Sequence, residues 1–180
     1  MKNHYRIMGD ITVIYLKRRN GSAVQCLIET KDLEIVQSIP GSWCIGKKSY
    51  TAYGIARTFV LLEDGKKKQI IMHRLVMNDP IGLQVDHINH NTLDNRRSNL
   101  RIVTGSENSQ NRKGVNDKSK SGIRNVKWVG KLNKWEVRLR VNKKNIWIGS
   151  YDTKREAAIF ASKAREKLMP FSKDAALVKK

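Results

Sequence analysis

Up to about residue 72, the chain contains short runs of apolar, β-branched and aromatic side chains, which is the pattern of β-strands. Residues 11–16 and 23–28 flank the dipeptide Asn20-Gly21, and this order predicts a β-hairpin with a type I′ turn. A second hairpin is predicted at residues 57–72, where Asp64-Gly65 separates two apolar runs. This β-rich part shows no catalytic constellation, so we expect it to support the segment that follows.

A polar, asparagine-rich segment comes next, between two short apolar runs. Apolar side chains on both sides of Asp86 and His87 indicate that this dipeptide ends a short strand, and residues 100–103 have the branched side chains of a returning strand. A T-x-x-E capping box at residues 104–107 then predicts the start of a helix. The order strand, loop, strand, helix is expected to bring Asp86, His87 and Asn108 to one end of a small unit.

The C-terminal part has the pattern of a three-stranded antiparallel sheet packed on one helix. Residues 135–141 alternate apolar side chains with Glu136 and two arginines, which directs the apolar set to a core and the charged set to the opposite face. Trp147 is out of phase with its apolar neighbours on the next predicted strand, so we expect it on the arginine face. A second T-x-x-E box at residues 153–156 predicts a helix with a stripe of small alanines.

These changes of pattern divide the chain into four predicted parts. Residues 1–111 form a β-rich region that leads into the strand-and-helix unit, whose core is residues 73–111. Residues 112–121 are polar, contain glycine and serine, and are predicted to be a basic linker. The sheet-and-helix module covers residues 122–170, and residues 171–180 form a tail. The fold class predicted for the whole chain is α+β.

The net charge points to a polyanionic partner. Thirty-six Lys and Arg against sixteen Asp and Glu give the 180 residues a formal charge of +20, which disfavours compaction unless a polyanion binds. Residues 112–150 carry twelve Lys or Arg and two acids, a net +10, so half of the excess lies in this short stretch. Nucleic acid is therefore the leading predicted partner, and a solvated basic face is the alternative.

The remaining composition indicates a cytoplasmic protein with no membrane contact and no obligate protein partner. No apolar run approaches the ~18 residues of a membrane span, and Gly9, Asp10 and Lys17 interrupt the N-terminal apolar stretch. Cys26 and Cys44 lack the spacing of a zinc knuckle and the density of a secreted scaffold, so ordinary thiols are predicted. The sequence leaves a disulfide between them open.

Asp86, His87 and Asn108 carry the candidate chemistry. A carboxylate and an amide oxygen suit a hard divalent cation, Mg²⁺ or Mn²⁺, which takes its other ligands from water and a phosphate. A neutral imidazole can accept a proton from water. An isolated Asp-His dipeptide is usually a surface loop, so the hypothesis depends on the asparagines and the capping box at their offsets.

Residues 73 to about 113 resemble an HNH endonuclease of the phage and homing type, in its H-N-N form. The motif is Asp-His-Ile-Asn-His-Asn-Thr-Leu-Asp-Asn-Arg-Arg-Ser-Asn-Leu-Arg, followed by an asparagine in the next helix. The resemblance implies a ββα-metal finger with His87 as general base and with Asp86 and Asn108 as ligands of one divalent cation. It also implies that Asn99 braces the loop and so orients the base.

Residues 121–158 resemble the AP2/ERF DNA-binding domain. The matching segments are Ser-Gly-Ile-Arg-Asn-Val-Lys-Trp, Lys-Trp-Glu-Val-Arg-Leu-Arg and Ile-Trp-Ile-Gly-Ser-Tyr-Asp-Thr-Lys-Arg-Glu-Ala-Ala. The resemblance implies a sheet that enters the major groove of double-stranded DNA. The DNA contacts that it nominates are Arg124, Lys127, Arg138, Arg140 and Trp147.

Two positions depart from these family patterns. His90 stands where relatives often have glycine in an N-G-N turn, and it gives His87 and His90 an H-x-x-H spacing. Asn125 stands where many AP2/ERF members have glycine, at the start of the first predicted strand. His90 is open as an additional phosphate contact or as a residue that competes with His87 for the role of base. Asn125 bears on the local geometry of the first strand and on the direction of Arg124.

The predicted function is metal-dependent hydrolysis of a phosphodiester bond in duplex DNA, with the finger as nuclease and the sheet and linker as the docking surface. Lys47, Lys48 and residues 66–68 are expected to add phosphate contacts or to be a plain solubilising surface. Two other classes stay open: a DNA-binding regulator with an inactive nuclease fold, and a basic RNA-binding protein. Cleavage that needs a divalent cation distinguishes the nuclease from both of these alternatives.

Overall fold

A computed structural model describes residues 1–18, 20–46, 54–112, 115 and 119–172. The protein folds into two compact units, Met1–Thr104 and Gly105–Lys180. Both contain small antiparallel sheets and few helices, which confirms the predicted α+β class. The division between units lies before the predicted helix that carries Asn108, and the finer domain scheme of the sequence stays a prediction.

The first unit begins with a three-stranded antiparallel sheet. Its strands are β1 (Tyr5–Met8), β2 (Ile11–Lys17) and β3 (Ala23–Glu29), in the order β1-β2-β3. The central strand β2 is largely buried, whereas all four residues of β1 are exposed. The pairing of β2 with β3 confirms the first predicted hairpin.

The turn of this hairpin differs from the predicted type I′ turn. A hairpin loop with a type I′ turn has two residues, but here the Arg18 N–H donates to the Ser22 carbonyl at 2.7 Å and the Gly21 N–H donates to the Arg18 carbonyl at 3.1 Å, so the loop is longer. The Asn20 side chain instead accepts hydrogen bonds from the backbone N–H and the hydroxyl of Ser22, at 3.2 and 2.7 Å. The local side-chain bonds therefore favour a longer turn, which begins after Lys17 and ends before Ala23.

A second sheet forms the middle of the first unit. After a 3₁₀ turn (Thr30–Asp32) and helix α1 (Leu33–Ser38), the chain builds the strands of a sheet with the order β4-β5-β6. These strands are β4 (Cys44–Gly46), β5 (Ile55–Leu61) and β6 (Lys67–Ile71). Strands β5 and β6 confirm the second predicted hairpin, whose turn contains Gly65 at φ 77°.

The last elements of the first unit carry the Asp-His dipeptide. Helix α2 (Met72–Val76) precedes strand β7 (Gln84–His87). A long loop and a 3₁₀ turn (Arg97–Asn99) lead back to strand β8 (Leu100–Val103), which pairs with β7 in antiparallel fashion. The predicted strand, loop and return strand are therefore present.

One apolar core joins these sheets and the β7–β8 hairpin. It includes side chains from the first sheet, from both helices and from the loop between β7 and β8, among them Ile14, Leu16, Ile28, Val36, Trp43, Met72, Val76, Leu93 and Leu100. Burying such a side chain stabilises the fold by roughly 1.5–3 kcal/mol. The β-rich N-terminal part thus provides the packing surface on which the loop rests.

The second unit contains helix α3 and a sheet covered by helix α4. Helix α3 (Gly105–Gln110) comes first. The sheet has the order β11-β10-β9, and its members are β9 (Val126–Val129), β10 (Lys134–Val141) and β11 (Lys144–Tyr151), with a 3₁₀ turn (Gly130–Leu132) between the first two. Helix α4 (Lys154–Leu168) packs on this sheet.

A capping box fixes the start of α4, and small side chains explain its packing on the sheet. Thr153 accepts a hydrogen bond from the Glu156 N–H at 3.1 Å, and the Glu156 carboxylate accepts one from the Thr153 N–H at 3.2 Å, which confirms the predicted capping box. Ala157 and Ala161 are fully buried against Val137 of β10. Since alanine is small, the helix axis can approach the sheet closely.

The remaining sequence predictions concern two lysines, the linker, the cysteines and membrane spans. Lys47, Lys48 and half of the proposed linker, residues 113, 114 and 116–118, lie outside the described residues. Both cysteines are free thiols. Among the helices in the described ranges, none is long and apolar enough to cross a membrane.

Candidate functional site

Asp86 and His87 are the last two residues of strand β7. Their partners on β8 are Arg101 for Asp86 and Leu100 for His87. Because successive side chains of a strand point to opposite faces, the two groups leave the hairpin in different directions. The His87 side chain is buried, with 6% of its surface exposed, and Asp86 is half-buried.

Asp86 is held by the arginine directly across the hairpin. The Arg101 Nε and Nη2 atoms donate to the same carboxylate oxygen, Oδ2, at 3.0 and 2.8 Å. Only 11% of the Asp86 side chain and 19% of the Arg101 side chain are exposed, so this cross-strand ion pair is partly shielded from solvent screening. The pair fixes the direction of the carboxylate. Arg101 is a site residue that no local pattern in the sequence indicated.

His87 is oriented by a residue that the sequence analysis did not single out. Its Nε2 atom lies 3.3 Å from the Oδ1 atom of Asn95, whose side chain is completely buried. The ring of His73, from α2, meets the His87 ring edge to face, with centroids 4.8 Å apart. His73 is itself buried, with 7% of its surface exposed.

Asn99 ties the two ends of the loop together. Its Oδ1 atom accepts the backbone N–H of Asn89 at 3.0 Å, and its Nδ2 atom donates to the carbonyl of Asp94 at 2.8 Å. Asn99 is buried, so both bonds are made in a medium of low dielectric constant. This geometry is what a loop-bracing residue requires. The Oδ1 atom of Asn95 lies within hydrogen-bond distance of His87 Nε2.

The loop is also bonded to strand β3 of the first sheet. The Leu27 N–H donates to the Leu93 carbonyl at 2.8 Å, and the Asn95 N–H donates to the Leu27 carbonyl at 2.7 Å. Nearby, the Arg97 guanidinium makes three hydrogen bonds to the buried carboxylate of Asp32. The first sheet therefore acts as a template for the loop that holds His87.

Asp94 is a charged group inside this loop. Burial raises the pKa of the Asp94 carboxyl, but hydrogen bonds from Arg96 and the charge of that guanidinium outweigh the effect of burial, so the pKa lies below its ordinary value. The two hydrogen bonds from the Arg96 guanidinium are both 2.7 Å long. The carboxylate therefore stays ionised and keeps its bonds at neutral pH.

The two departures from the family patterns both adopt a left-handed backbone. His90 has a φ of 65° and Asn125 a φ of 67°. Glycine adopts this region without steric cost, and asparagine and histidine are among the other residues that enter it most often. Both positions therefore have a backbone conformation that glycine could also adopt.

Asn108, the second predicted metal ligand, lies on α3 in the second unit and is half-buried there. The C-terminal end of α3 is held by Arg124, which donates to three carbonyl oxygens. They are those of Ser109 at 3.2 Å, Gln110 at 2.9 Å and Arg112 at 3.0 Å. Carbonyls at a helix end have no partner within the helix, so Arg124 serves as a C-terminal clamp.

Four of the five nominated DNA contacts share one face of the sheet in the second unit. Arg138 is opposite Trp147, and residues paired across antiparallel strands point to the same face. Lys127, Arg138 and Arg140 are exposed, and 59% of the Trp147 surface is accessible. We call these four side chains the basic face. Arg124, the fifth nominated contact, instead contacts the end of α3.

The residues opposite the basic face confirm the predicted alternation. Val137 and Leu139 are buried against α4, and Trp135 packs at the margin of the same core. A β-bulge between Val137 and Arg138 shifts the register with β11. Within the basic face, Arg138 donates to the Glu136 carboxylate at 2.7 Å, so this arginine has one anionic neighbour.

The described residues contain no group of three or more His, Cys, Asp or Glu side chains placed to hold a metal ion. The predicted ligand set is of a different kind, since it consists of one carboxylate and one amide oxygen. Oxygen atoms of these two types fit a hard divalent cation.

Comparison with known families supports the first resemblance. Residues 79–110 match the model of the HNH endonuclease family, and Asp86, His87, Asn99 and Asn108 all lie within the matched segment. The match is short, 32 residues, and it suggests a hydrolase that cleaves DNA. No curated protein and no solved structure matches the chain. This chain is thus similar to HNH endonucleases over the Asp-His hairpin and the helix that follows.

Proposed function

We propose that this protein is a metal-dependent endonuclease that hydrolyses a phosphodiester bond in duplex DNA. The observation that carries the proposal is the HNH family match over residues 79–110, which contains all four predicted site residues. The buried and hydrogen-bonded surroundings of His87 add support, because a general base needs a defined orientation. The phage or homing context of the proposal comes from the motif resemblance.

The proposed ligands of the cation are Asp86 and Asn108. Arg101 holds the Asp86 carboxylate through one oxygen and so limits its rotation. The assignment of Asn108 depends on its place in the sequence motif and on the family match. When bound, a divalent cation of the Mg²⁺ or Mn²⁺ type neutralises charge on the phosphate and on the leaving oxygen.

The proposed base is His87, and Asn99 is the proposed brace of its loop. A neutral imidazole accepts a proton as water attacks the phosphorus, and proton transfer of this kind contributes about 10²–10⁴-fold to a rate. The hydrogen bonds of Asn99 to both ends of the loop keep the strand end and the Asn95 region at a constant separation. Asn99 thus acts on the base through the loop.

The basic face is the proposed docking surface for the duplex. Lys127, Arg138, Arg140 and Trp147 project from one side of a three-stranded sheet, where guanidinium groups can reach guanine edges and phosphates. Arg124 belongs to the nominated contacts through the AP2/ERF resemblance. Its part in DNA binding is proposed beside its observed bonds to α3.

The test is cleavage of supercoiled plasmid by the purified full chain with Mg²⁺ or Mn²⁺, and with EDTA. We expect the cation to support cleavage and EDTA to abolish it. His87→Ala should reduce the cleavage rate by at least about 100-fold, while its affinity for DNA stays near that of the unchanged protein. His4→Ala is the matched control. His4 contacts Tyr15 in the first sheet, so this variant should cleave normally.

Each contrary outcome identifies another class of function. If the protein binds duplex DNA but does not cleave it with any divalent cation, the result supports a DNA-binding regulator with an inactive nuclease fold. Preference for RNA over duplex DNA, again without cleavage, supports a basic RNA-binding protein. Full activity of His87→Ala contradicts the assignment of the base, even if the protein is a nuclease.

A further inference from the structure

We infer that Asn95 is a positioning residue that sets the proton-bearing nitrogen of His87, and that the Cys26 thiol sets the orientation of Asn95. The inference deepens the proposed function, since it concerns the residue proposed as base. It rests on a chain of buried side chains that runs from the first sheet to the end of β7.

The first step is the environment of the Asn95 side chain. Both Asn95 and Cys26 are completely buried. The Asn95 Nδ2 atom donates to Cys26 Sγ at 3.1 Å, and its Oδ1 atom lies 3.3 Å from His87 Nε2. A carboxamide has a donor end and an acceptor end. If it were turned over, the oxygen would face the sulfur and the amide would face the imidazole.

The second step is the reason that the sulfur accepts. The Cys26 thiol donates its own proton to the Met72 sulfur at 3.4 Å, which leaves sulfur lone pairs for the Asn95 amide. Burial raises the pKa of Cys26 to about 12, so the thiol keeps its proton at neutral pH. With its proton already engaged, Cys26 selects the donor end of Asn95.

The third step fixes the position of Asn95. Its backbone N–H donates to the Leu27 carbonyl at 2.7 Å, and Leu27 follows Cys26 directly on β3. The main chain of Asn95 and the sulfur that orients its side chain therefore belong to one strand segment. This double attachment leaves little freedom for the carboxamide to move away from His87.

The consequence concerns the two nitrogens of the His87 ring. Oδ1 of Asn95 can only accept, so the neutral ring presents its N–H at Nε2. The other nitrogen, Nδ1, is then the atom without a proton and so the acceptor of the neutral ring. The face of the first sheet that contains Cys26 thus influences the chemistry at the end of β7, although its sequence shows no catalytic motif.

Imidazole nitrogen NMR of the uniformly ¹⁵N-labelled full chain tests this inference without metal or DNA, at a pH where His87 is neutral. We expect the unchanged protein to show a protonated Nε2 and an unprotonated Nδ1. Asn95→Leu, which removes the acceptor, should shift both nitrogen resonances toward the average of the two tautomers. A wild-type ring protonated at Nδ1, or an Asn95→Leu ring identical to wild type, would overturn the inference.

The role of Cys26 is tested by a pair of substitutions at that position. Cys26→Ser keeps a group that both donates and accepts, so it should preserve the His87 tautomer. Cys26→Ala removes the acceptor that selects the Asn95 orientation and should give mixed tautomers. Equal spectra for the two variants would contradict the role given to the thiol, and this comparison does not depend on Asn95→Leu being well folded.

Asn3→Leu is the matched control for loss of buried hydrogen bonds. Asn3 bonds to the backbone of Tyr15 and Trp43 in the same unit. Its replacement should lower stability and leave the His87 nitrogens unchanged. In plasmid cleavage, Asn95→Leu should lower kcat by about 10- to 100-fold, as loss of an outer partner of a site residue commonly does, with KM little changed.

The NMR and cleavage measurements can fail separately. If the tautomer depends on Asn95 but no DNA is cleaved, the positioning role holds and the proposed nuclease function fails. If DNA is cleaved but the tautomer is independent of Asn95, the nuclease function holds and the positioning role fails.

Discussion

The asparagine-rich loop of the first unit and the basic face of the second unit use polar side chains in opposite ways. In the loop, Asn95 and Asn99 are buried and bonded on both ends of their carboxamides. On the basic face, Arg140 and Trp147 are exposed to solvent. Buried polar groups with complete hydrogen bonds specify one geometry. Exposed cations respond to any polyanion that approaches.

The arginines show the same contrast. In the first unit, Arg97 and Arg101 are paired with the carboxylates of Asp32 and Asp86. The excess of positive charge therefore does not act uniformly along the chain, because part of it stabilises the fold. Arg124 is the informative exception in the second unit, since a residue nominated for DNA contact holds the end of a helix. We therefore expect the exposure and the partners of an arginine to indicate its role better than its position in a motif.

Asn99→Ala should give the largest change in stability. The substitution removes two buried hydrogen bonds and leaves the Asn89 N–H and the Asp94 carbonyl to find new partners. We expect the free energy of unfolding to fall by about 2–4 kcal/mol, measured by urea denaturation. Asn145→Ala on the exposed side of β11 is the control and should change it by less than about 0.5 kcal/mol. Equal losses of stability in Asn99→Ala and Asn145→Ala would contradict the contrast between the buried loop and the exposed face.

Arg124→Ala tests whether this arginine belongs with the structural set. Loss of three carbonyl contacts at the end of α3 should lower the free energy of unfolding by about 1.5–3 kcal/mol. Arg140→Ala, with an exposed side chain, should stay within about 0.5 kcal/mol of the unchanged protein. Thermal and urea unfolding of the two variants measure the difference. If Arg124→Ala weakens DNA binding without loss of stability, its main role is contact with DNA.

Arg138→Ala and Arg140→Ala should weaken duplex binding and lower its dependence on salt. Each phosphate contact that is lost should reduce the slope of log affinity against log salt by about 1. Titrations of a fluorescent duplex at several salt concentrations measure this slope. Arg97→Lys is the control, because Arg97 is paired with Asp32 in the first unit. A slope unchanged in both face variants would show that the duplex binds elsewhere.

His90→Gly should give the smallest change, and in the stabilising direction. His90 has a φ of 65°, where a side chain costs about 1 kcal/mol relative to glycine. Part of this gain is offset by the greater entropy of glycine in the unfolded chain, so we expect a rise of at most about 1 kcal/mol in the free energy of unfolding. Asn125→Gly is the comparison, since it loses the hydrogen bond from Asn125 to the Arg138 carbonyl at 3.0 Å. Urea denaturation measures both variants, and a fall in the free energy of unfolding for His90→Gly would contradict the backbone cost assigned to His90.

Much of the secondary structure and the nature of the candidate chemistry could be read from local patterns. Alternation along β10 predicted which of its side chains face α4, and the T-x-x-E box predicted the start of α4 at Thr153. These features depend on residues a few positions apart, so a short stretch of sequence contains the information. The Asp86-His87 motif likewise indicated a DNA-cleaving function that the family match supports.

The partners of the site residues could not be read in this way. Asn95 bonds to Cys26 across a separation of 69 residues, and Arg124 reaches α3 through folding of the loop before β9. Such pairs form when the packing of whole sheets and helices brings distant segments together, and several alternative partners would satisfy the same local pattern. Type, period and capping of an element are local properties of the chain, whereas the neighbour that orients His87 is a property of the assembled core.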